Sequence, residues 1–292
     1  MEKRNVNHWQ RRSRRLLHTG LLLSLFTIGL MFIYALHAIF GWNIPFDLLR
    51  ICNRWMEAQG WFSVAHVLRG LVLCTFVLYI GYGLDQWLGS HRAYRYFQSL
   101  QDEEQSVQYN EVYSPANKLF VIIHCPQPLA LTMGIFRRRI ILSDGLLRML
   151  DQQEQQAVAH HELFHYRHRD PLTTFLLGQF AVALWFLPVL RNITLHYKIS
   201  REILADSYAV HHLGTPVGLG GALLKLVHRQ QYHSPQPFRM IYSSFAETSL
   251  NYRIHRIVEP DQEKSLRLPI GTVLFSVVIL ISLSILLLWS LL

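Results

Sequence analysis

The residues best suited to chemistry form the run His161-Glu162-Leu163-Phe164-His165, in which two histidines lie four positions apart. Residues at this spacing share one face of a helix, so both imidazoles can bind the same metal ion. The glutamate next to the first histidine can then reach a water molecule on that ion. The pattern therefore predicts a metal site that activates water, and the alternative is a solvated, histidine-rich helix face.

A metal site of this kind needs a third protein ligand, for which two arrangements are common. One places a histidine six residues beyond the second histidine, where this chain has Pro171. The other uses a glutamate on a later helix, with an aspartate four residues further on that orients a histidine ligand. The segment Ile199–Ala209 has helical character and carries Glu202 and Asp206 on one face. The sequence therefore favours the second arrangement.

Helix start signals lie on both sides of the histidine motif. Asp151 followed by Glu154 has the form of a capping box, which predicts that the helix carrying the motif begins near Gln152. Asp170 followed by Pro171 is typical of an N-cap with proline at the first helical position. We therefore expect a second helix to begin directly after the motif.

The composition differs from that of an ordinary soluble protein. Of 292 residues, 51% are hydrophobic and only 16% are charged, and Lys plus Arg number 28 against 19 for Asp plus Glu. These values exclude disordered, collagen-like and coiled-coil classes. The three cysteines are too few for a disulfide framework or a thiolate metal site. The positive charge is compatible with nucleic acid, an anionic membrane surface or the topology signal of a membrane protein.

Three apolar stretches are long enough to cross a bilayer, which requires roughly 20 helical residues. They run from Leu16 to Trp42, from Trp61 to Trp87 and from Leu268 to Leu292. Six Lys and Arg residues precede the first stretch against the single acid Glu2, so the positive-inside rule places the N-terminus in the cytoplasm. Because this topology accounts for the positive charge, we expect no nucleic-acid partner.

A fourth apolar stretch, from Pro171 to Leu190, is ambiguous because a helix of about 20 residues also extends roughly 30 Å. This stretch separates the histidine motif from Glu202, and both must lie on the same side of the membrane to meet at one ion. Either this stretch does not cross the membrane, or Glu202 is not the ligand. We expect the first, a buried or re-entrant helix over 171–190, which leaves three spans rather than four.

These motifs resemble those of the BlaR/MecR-type membrane metallopeptidases. The family pattern is a HELxH-x-x-x-RD helix, a Trp-Phe-x-Pro segment and an ELxxD helix, and this chain has HHELFHYRHRDPL, WFLP and REILADSYAV. Upstream, Gly134 and the run Arg139–Ser143 match the family's glycine and edge strand, on which such enzymes bind an extended substrate by strand addition. An ordinary half-buried strand is the alternative there. The resemblance extends from about Asn117 to Val210, and more distantly to HtpX-type and CAAX-type membrane peptidases of the same gluzincin organisation.

The resemblance implies roles for individual residues. It implies Zn²⁺ bound by His161, His165 and Glu202, with Glu162 as the catalytic base and Asp206 as the residue that orients His161. Zinc with three protein ligands keeps one position open for water, lowers the pKa of that water and polarises a carbonyl group. The physical chemistry of the site therefore agrees with the roles that the family implies.

A later element resembles the one that stabilises the oxyanion in HtpX-type relatives. Arg253, within Tyr252–Ile257, matches its arginine, whereas Glu247 stands where the relatives have a histidine. Four histidines could take over that function, although surface or packing roles are more common for such residues: His211, His212, His233 and His255.

Together these features predict a mainly α membrane protein whose multi-pass helices carry a cytosolic α+β gluzincin metallopeptidase domain with a small edge-strand sheet. The expected parts are a basic cytoplasmic arm (1–15), two transmembrane helices with a short external loop (16–90), the metallopeptidase domain (91–267) and a C-terminal transmembrane helix (268–292). The family's penicillin-binding sensor is not expected, so a regulatory signal would come from a membrane subunit, the lipid or the substrate.

The predicted function is hydrolysis of a protein or peptide substrate at the inner face of the bacterial cytoplasmic membrane, in signalling or regulated proteolysis. The alternative is a catalytically inactive membrane scaffold or receptor that retains the zinc fold. Glu162 argues against this alternative, because a purely structural zinc site has no need of that carboxylate.

Overall fold

The computed structural model describes residues 2–40, 64–232, 253 and 267–289. The chain divides into two compact units. The peptidase unit comprises residues 1–14, 87–175 and 195–266, and the membrane unit comprises residues 15–86, 176–194 and 267–292. Each unit is therefore assembled from three separate stretches of sequence.

Helices make up most of both units. Within the described ranges there are nine: α1 (Glu2–Phe40), α2 (Val64–Ser99), α3 (Glu103–Tyr113), α4 (Asp144–Met149), α5 (Gln152–Arg167), α6 (Asp170–Ala183), α7 (Pro188–Leu213), α8 (Val217–Tyr232) and α9 (Ile270–Trp289). Three of them, α1, α2 and α9, are long and apolar enough to cross a membrane. These three helices cover most of the three predicted spans, whose residues 41–42, 61–63 and 290–292 lie outside the described residues, and α1 also includes the basic segment before the first span.

The candidate transmembrane helices expose large apolar side chains. Leu25 on α1, Leu73 on α2 and Leu274 on α9 are 59%, 66% and 60% exposed. Contiguous apolar surface of this kind is unfavourable in water but is matched by the hydrocarbon core of a bilayer. The chain is accordingly a membrane protein with three candidate transmembrane helices.

The prediction of a single helix over the apolar stretch 171–190 was wrong, because the stretch is divided between two helices. α6 ends at Ala183 and α7 begins at Pro188. Proline lacks an N–H group and has a fixed φ, which suits it to the first turn of a new helix. The 14 residues of α6 extend about 21 Å at 1.5 Å per residue, less than the roughly 30 Å of a hydrocarbon core. That this stretch does not cross the membrane stays a prediction.

Four short strands form one mixed sheet in the peptidase unit, in the order β1-β2-β4-β3. The strands are β1 (Gln101–Asp102), β2 (Phe120–Ile123), β3 (Ala130–Met133) and β4 (Arg139–Ser143). β4 pairs in parallel with β2 and antiparallel with β3, and β1 pairs antiparallel with β2. The sheet therefore has β3 at one edge and β1 at the other.

The expectation that Arg139–Ser143 is the edge strand was wrong, because β4 has a hydrogen-bonded neighbour on each side. Its alternate residues are buried on both faces of the sheet. Ile140 packs in the cluster that contains α5, whereas Ile141 packs in a different cluster with Phe97. A continuous apolar run is typical of such a doubly covered strand. The edge next to α5 is instead formed by β3.

The turn between β3 and β4 depends on Gly134, whose φ is +95°. A Cβ atom at this position would lie 2.3 Å from the carbonyl oxygen of Arg137, which is inside van der Waals contact. Only glycine adopts this backbone conformation without a steric penalty. Gly134, which matches the family's glycine, therefore allows the tight turn of the β3–β4 hairpin.

α5 begins as its sequence predicts. The Asp151 carboxylate accepts a hydrogen bond from the Glu154 N–H, and the Glu154 carboxylate accepts one from the Asp151 N–H, both at 2.9 Å. This capping box is confirmed. One face of α5 packs through Val158 and Leu163 against the apolar cluster of the sheet. The helix that carries the histidine motif is thus held by its cap and by the core.

Candidate metal centre

Two helices of the peptidase unit bring the predicted metal ligands together. α5 carries His161 and His165 one turn apart, and α7 carries Glu202. Ligand atoms of these three residues all lie within 4.8 Å of one another. The structure thus assembles the ligand set that the family resemblance implies, from residues 41 positions apart in sequence.

The spacing of the three ligand groups is compatible with one metal ion. The two histidine Nε2 atoms are 3.2 Å apart, Oε2 of Glu202 lies 3.5 Å from Nε2 of His161, and Oε1 of Glu202 lies 3.6 Å from Nε2 of His165. Ligands at about 2.0–2.1 Å in a tetrahedron are separated by about 3.3 Å. Two nitrogens and the Glu202 carboxylate can therefore hold one divalent cation and leave a further position open.

The other nitrogen of each imidazole contacts a carboxylate. Nδ1 of His161 lies 2.9 Å from Asp206, and Nδ1 of His165 lies 2.7 Å from Asp170. An ionised carboxylate can only accept a hydrogen bond, so each Nδ1 carries the hydrogen, and each ring has a lone pair at Nε2 once that atom is deprotonated. At a separation of 3.2 Å the two Nε2 atoms require either one shared hydrogen or a cation between them. The donor chemistry therefore fits a metal ion.

Arg253 lies beside the same carboxylates. Its Nε and Nη2 atoms donate hydrogen bonds of 2.8 and 2.7 Å to the two oxygens of Asp206, and its Nη1 lies 3.1 Å from Glu202. The sequence singled out this arginine as an oxyanion stabiliser. In the structure its guanidinium group pairs with the carboxylate that contacts His161 and with the Glu202 ligand.

The charges in this cluster shift the pKa values of its members. Burial and Arg253 would lower the pKa of His161, but hydrogen bonds to Asp206 and Glu202 outweigh them and raise it to about 9. Burial would raise the pKa of Asp206, yet the charge of Arg253 keeps it below its usual range. The pKa of Glu202 is likewise lowered, because His161 and other cationic groups outweigh burial. A metal ion that binds here must therefore displace a proton from His161.

Glu162 lies against the edge strand of the sheet. The Thr132 hydroxyl on β3 lies 2.8 Å from the Glu162 carboxylate and 3.0 Å from its backbone carbonyl. The hydroxyl can donate its single hydrogen to either oxygen. This contact ties the residue expected to act as a base to the strand at the sheet edge.

We expect Thr132→Val to lower kcat of peptide hydrolysis roughly tenfold to hundredfold while metal content stays unchanged. Valine has nearly the same shape and favours strands, so it removes the hydroxyl that orients Glu162 without removing the strand. The matched variant Thr132→Ser keeps the hydroxyl and should keep most of the activity. Equal kcat for wild type and Thr132→Val would show that this contact does not position the carboxylate.

Sequence reasoning missed three residues of this site, namely Asp170, Arg201 and Thr132. The sequence predicts only a helix cap at Asp170, although its place five residues after His165, at the end of the family's RD motif, is a usable signal. Arg201, whose Nε lies 2.8 Å from Asp170, directly precedes Glu202, and no motif assigns it a role. Thr132 lies in a strand with no motif, so nothing in the sequence pointed to it. The metal cluster does not include His211 or His212, while His233, Glu247 and His255 lie outside the described residues.

The three long apolar helices and the cluster of two histidines and a glutamate are typical of a membrane protein with a metal centre. The family model described as BlaR1 peptidase M56 matches residues 44–257, which is most of the chain. The chain therefore belongs to the BlaR1 peptidase M56 family. Members of this family are metallopeptidases, in agreement with the cluster on α5 and α7.

Three curated proteins described as protease HtpX homologues are similar to parts of the chain. The protein from Aeropyrum pernix is 25% identical over 211 residues, which cover 57% of this chain and 66% of the relative. The protein from Pelotomaculum thermopropionicum is 30% identical over 149 residues, 38% of this chain and 53% of the relative. The protein from Archaeoglobus fulgidus is 35% identical over 69 residues, 23% of this chain and 20% of the relative. The chain thus spans between a fifth and two thirds of the length of these relatives.

Proposed function

We propose that the chain is a zinc metalloendopeptidase that hydrolyses a protein substrate at the cytoplasmic face of a bacterial inner membrane. The observation that carries this proposal is the convergence of His161, His165 and Glu202, whose ligand atoms lie within 4.8 Å of one another, with Glu162 next to the first ligand in sequence. Membership of a metallopeptidase family supports the same reaction. In this proposal the three converging residues hold the zinc ion.

Each side chain of the site has a separate role in the proposed hydrolysis. A zinc ion held by His161, His165 and Glu202 would act as a Lewis acid and would lower the pKa of a water molecule. Glu162 takes the proton of the attacking water and later delivers it to the leaving amine. Asp206 holds the Nδ1–H tautomer of His161, so that Nε2 remains a ligand. Arg253 holds Asp206 and Glu202 in place through three nitrogen–oxygen contacts.

The cytoplasmic placement rests on the distribution of charge. Lys and Arg cluster before the first candidate span, and the peptidase unit includes this same N-terminal segment, residues 1–14. The positive-inside rule places such a segment in the cytoplasm. We therefore place the catalytic residues on the cytoplasmic side, with Asn43–Gly60 outside.

A cysteine-labelling experiment tests this topology. In a variant without the native cysteines, Cys introduced at Gln10 should react with a membrane-impermeant maleimide only after the cells are opened. Cys introduced at Gln59, in the loop between the first two spans, should react in intact cells. Labelling of the Gln10 position in intact cells would contradict the cytoplasmic placement.

The proposed proteolysis is tested by comparing the membrane proteomes of cells that express the wild-type chain or the Glu162→Gln variant. Fragments of natural substrates should be present with the wild type and absent with the variant. Glu104→Gln is the matched control, because it makes the same chemical change at an exposed carboxylate on α3. Identical fragment sets in all three samples would favour an inactive scaffold instead of a peptidase.

A further inference from the structure

Each of the two histidines at the metal centre has its own carboxylate, and each carboxylate has its own arginine. Asp206 contacts His161 and pairs with Arg253, as described above. One carboxylate oxygen of Asp170 lies 2.7 Å from Nδ1 of His165, and the other oxygen lies 2.8 Å from Nε of Arg201. The second chain of contacts is built from residues to which neither the sequence motifs nor the proposed mechanism assigns a task.

The Asp170–Arg201 pair is buried. The side chains of Asp170 and Arg201 are only 5% and 11% exposed. The guanidinium carbon of Arg201 lies 4.5 Å from the centre of the Phe164 ring, so this group also stacks on the residue that precedes His165. The 2.8 Å approach of Arg201 Nε to Asp170 is an ion-pair contact without hydrogen-bond alignment, and its charge stabilises the ionised carboxylate beside His165.

The pair also connects the elements that form the centre. Asp170 is the first residue of α6 and contacts His165 on α5, while Arg201 lies on α7 next to Glu202 and contacts Asp170. The pair therefore links the helix that begins after the histidine motif to the helix that carries the third ligand.

We propose that the Asp170–Arg201 pair positions His165 for metal binding. Asp170 keeps the hydrogen on Nδ1, so the Nε2 lone pair points at the ion, and Arg201 holds Asp170 in that orientation. The negative charge also increases the electron density at Nε2, which strengthens a bond to a cation. This inference rests on the proposed metallopeptidase function and adds two positioning residues to it.

The test measures zinc affinity rather than activity. The full chain is purified in detergent micelles, stripped of metal and titrated with zinc against a chromogenic chelator. Asp170→Asn has nearly the same shape and can still accept a hydrogen bond from Nδ1, but it carries no charge. We expect its zinc dissociation constant to rise about 10- to 100-fold, the usual effect of removing a partner of a metal-ligating histidine. The absorption bands of the cobalt-substituted variant should shift as well.

Glu154→Gln is the matched control. Glu154 is also a buried carboxylate in an ion pair, at 2.6 Å from Lys225, and it lies on the same helix as His165 without contacting either histidine of the cluster. This variant should lose stability but retain the wild-type zinc dissociation constant. Equal zinc affinity for Asp170→Asn and wild type would overturn the proposal and reduce the pair to a structural ion pair.

If Asp170→Asn does not fold, Arg201→Lys provides a second test of whether the pair positions His165 for metal binding. Lysine keeps a positive charge beside Asp170 but loses the planar group that fixes the carboxylate. A several-fold rise in the zinc dissociation constant is expected, and an unchanged value would overturn the proposal. If the wild-type chain itself binds no zinc, the proposed metallopeptidase function fails, and that result differs from a variant that binds zinc as tightly as wild type.

Discussion

Replacing Glu162 with Gln should leave the metal bound and lower the rate of peptide hydrolysis by about 10²- to 10⁴-fold, the usual contribution of a general base. Glutamine has the same size and can still accept a hydrogen bond from Thr132, but it cannot take a proton from water. Metal content by mass spectrometry should be the same as in the wild type. Cleavage of the substrates found in the proteome comparison should be lost.

His165→Ala separates this effect from loss of the metal. The variant removes one of the three converging ligand atoms, so both metal content and hydrolysis should be lost. Retained cleavage in Glu162→Gln would refute the assignment of the base. Loss of metal in Glu162→Gln would instead show that this carboxylate is itself a ligand.

Much of the metal centre could be predicted from the sequence because its ligands obey local rules. The spacing of His161 and His165 follows from the pitch of a helix, and the same argument links Glu202 to Asp206 on α7. The capping box formed by Asp151 and Glu154 likewise predicts the start of α5. Such features depend on residues within one or two turns of each other, which is the range over which sequence patterns are informative.

The error about the edge strand arose because the position of a strand in a sheet depends on contacts between distant segments. The order of strands in the sheet follows from the pairing of β4 with both β2 and β3, and no local pattern in Arg139–Ser143 states which neighbours it has. The contact between Thr132 and Glu162 joins residues 30 positions apart. The residue pairs that hold the catalytic groups in place are therefore less visible in the sequence than the catalytic groups themselves.

The N-terminal segment of α1 is a further case, because its composition suggests only a basic arm. Trp9 in this segment is 2% exposed and packs in an apolar cluster with residues of α5 and α7. Two of these partners adjoin metal ligands in sequence, since Phe164 precedes His165 and Ile203 follows Glu202. The segment before the first span is thus part of the core that supports the metal centre.

We therefore expect Trp9→Ala to destabilise the peptidase unit by about 3–5 kcal/mol, the usual cost of truncating a buried tryptophan. In a chain of this size that corresponds to a fall in the thermal midpoint on the order of 10 °C. The cavity would lie directly behind the two ligand-bearing helices, so zinc affinity should fall as well. Thermal unfolding in detergent with and without zinc measures both effects. Gln10→Ala changes the exposed neighbour of Trp9 on the same helix, so its midpoint should match the wild type. A Trp9→Ala variant with an unchanged midpoint and zinc affinity would show that the N-terminal segment is dispensable to the centre.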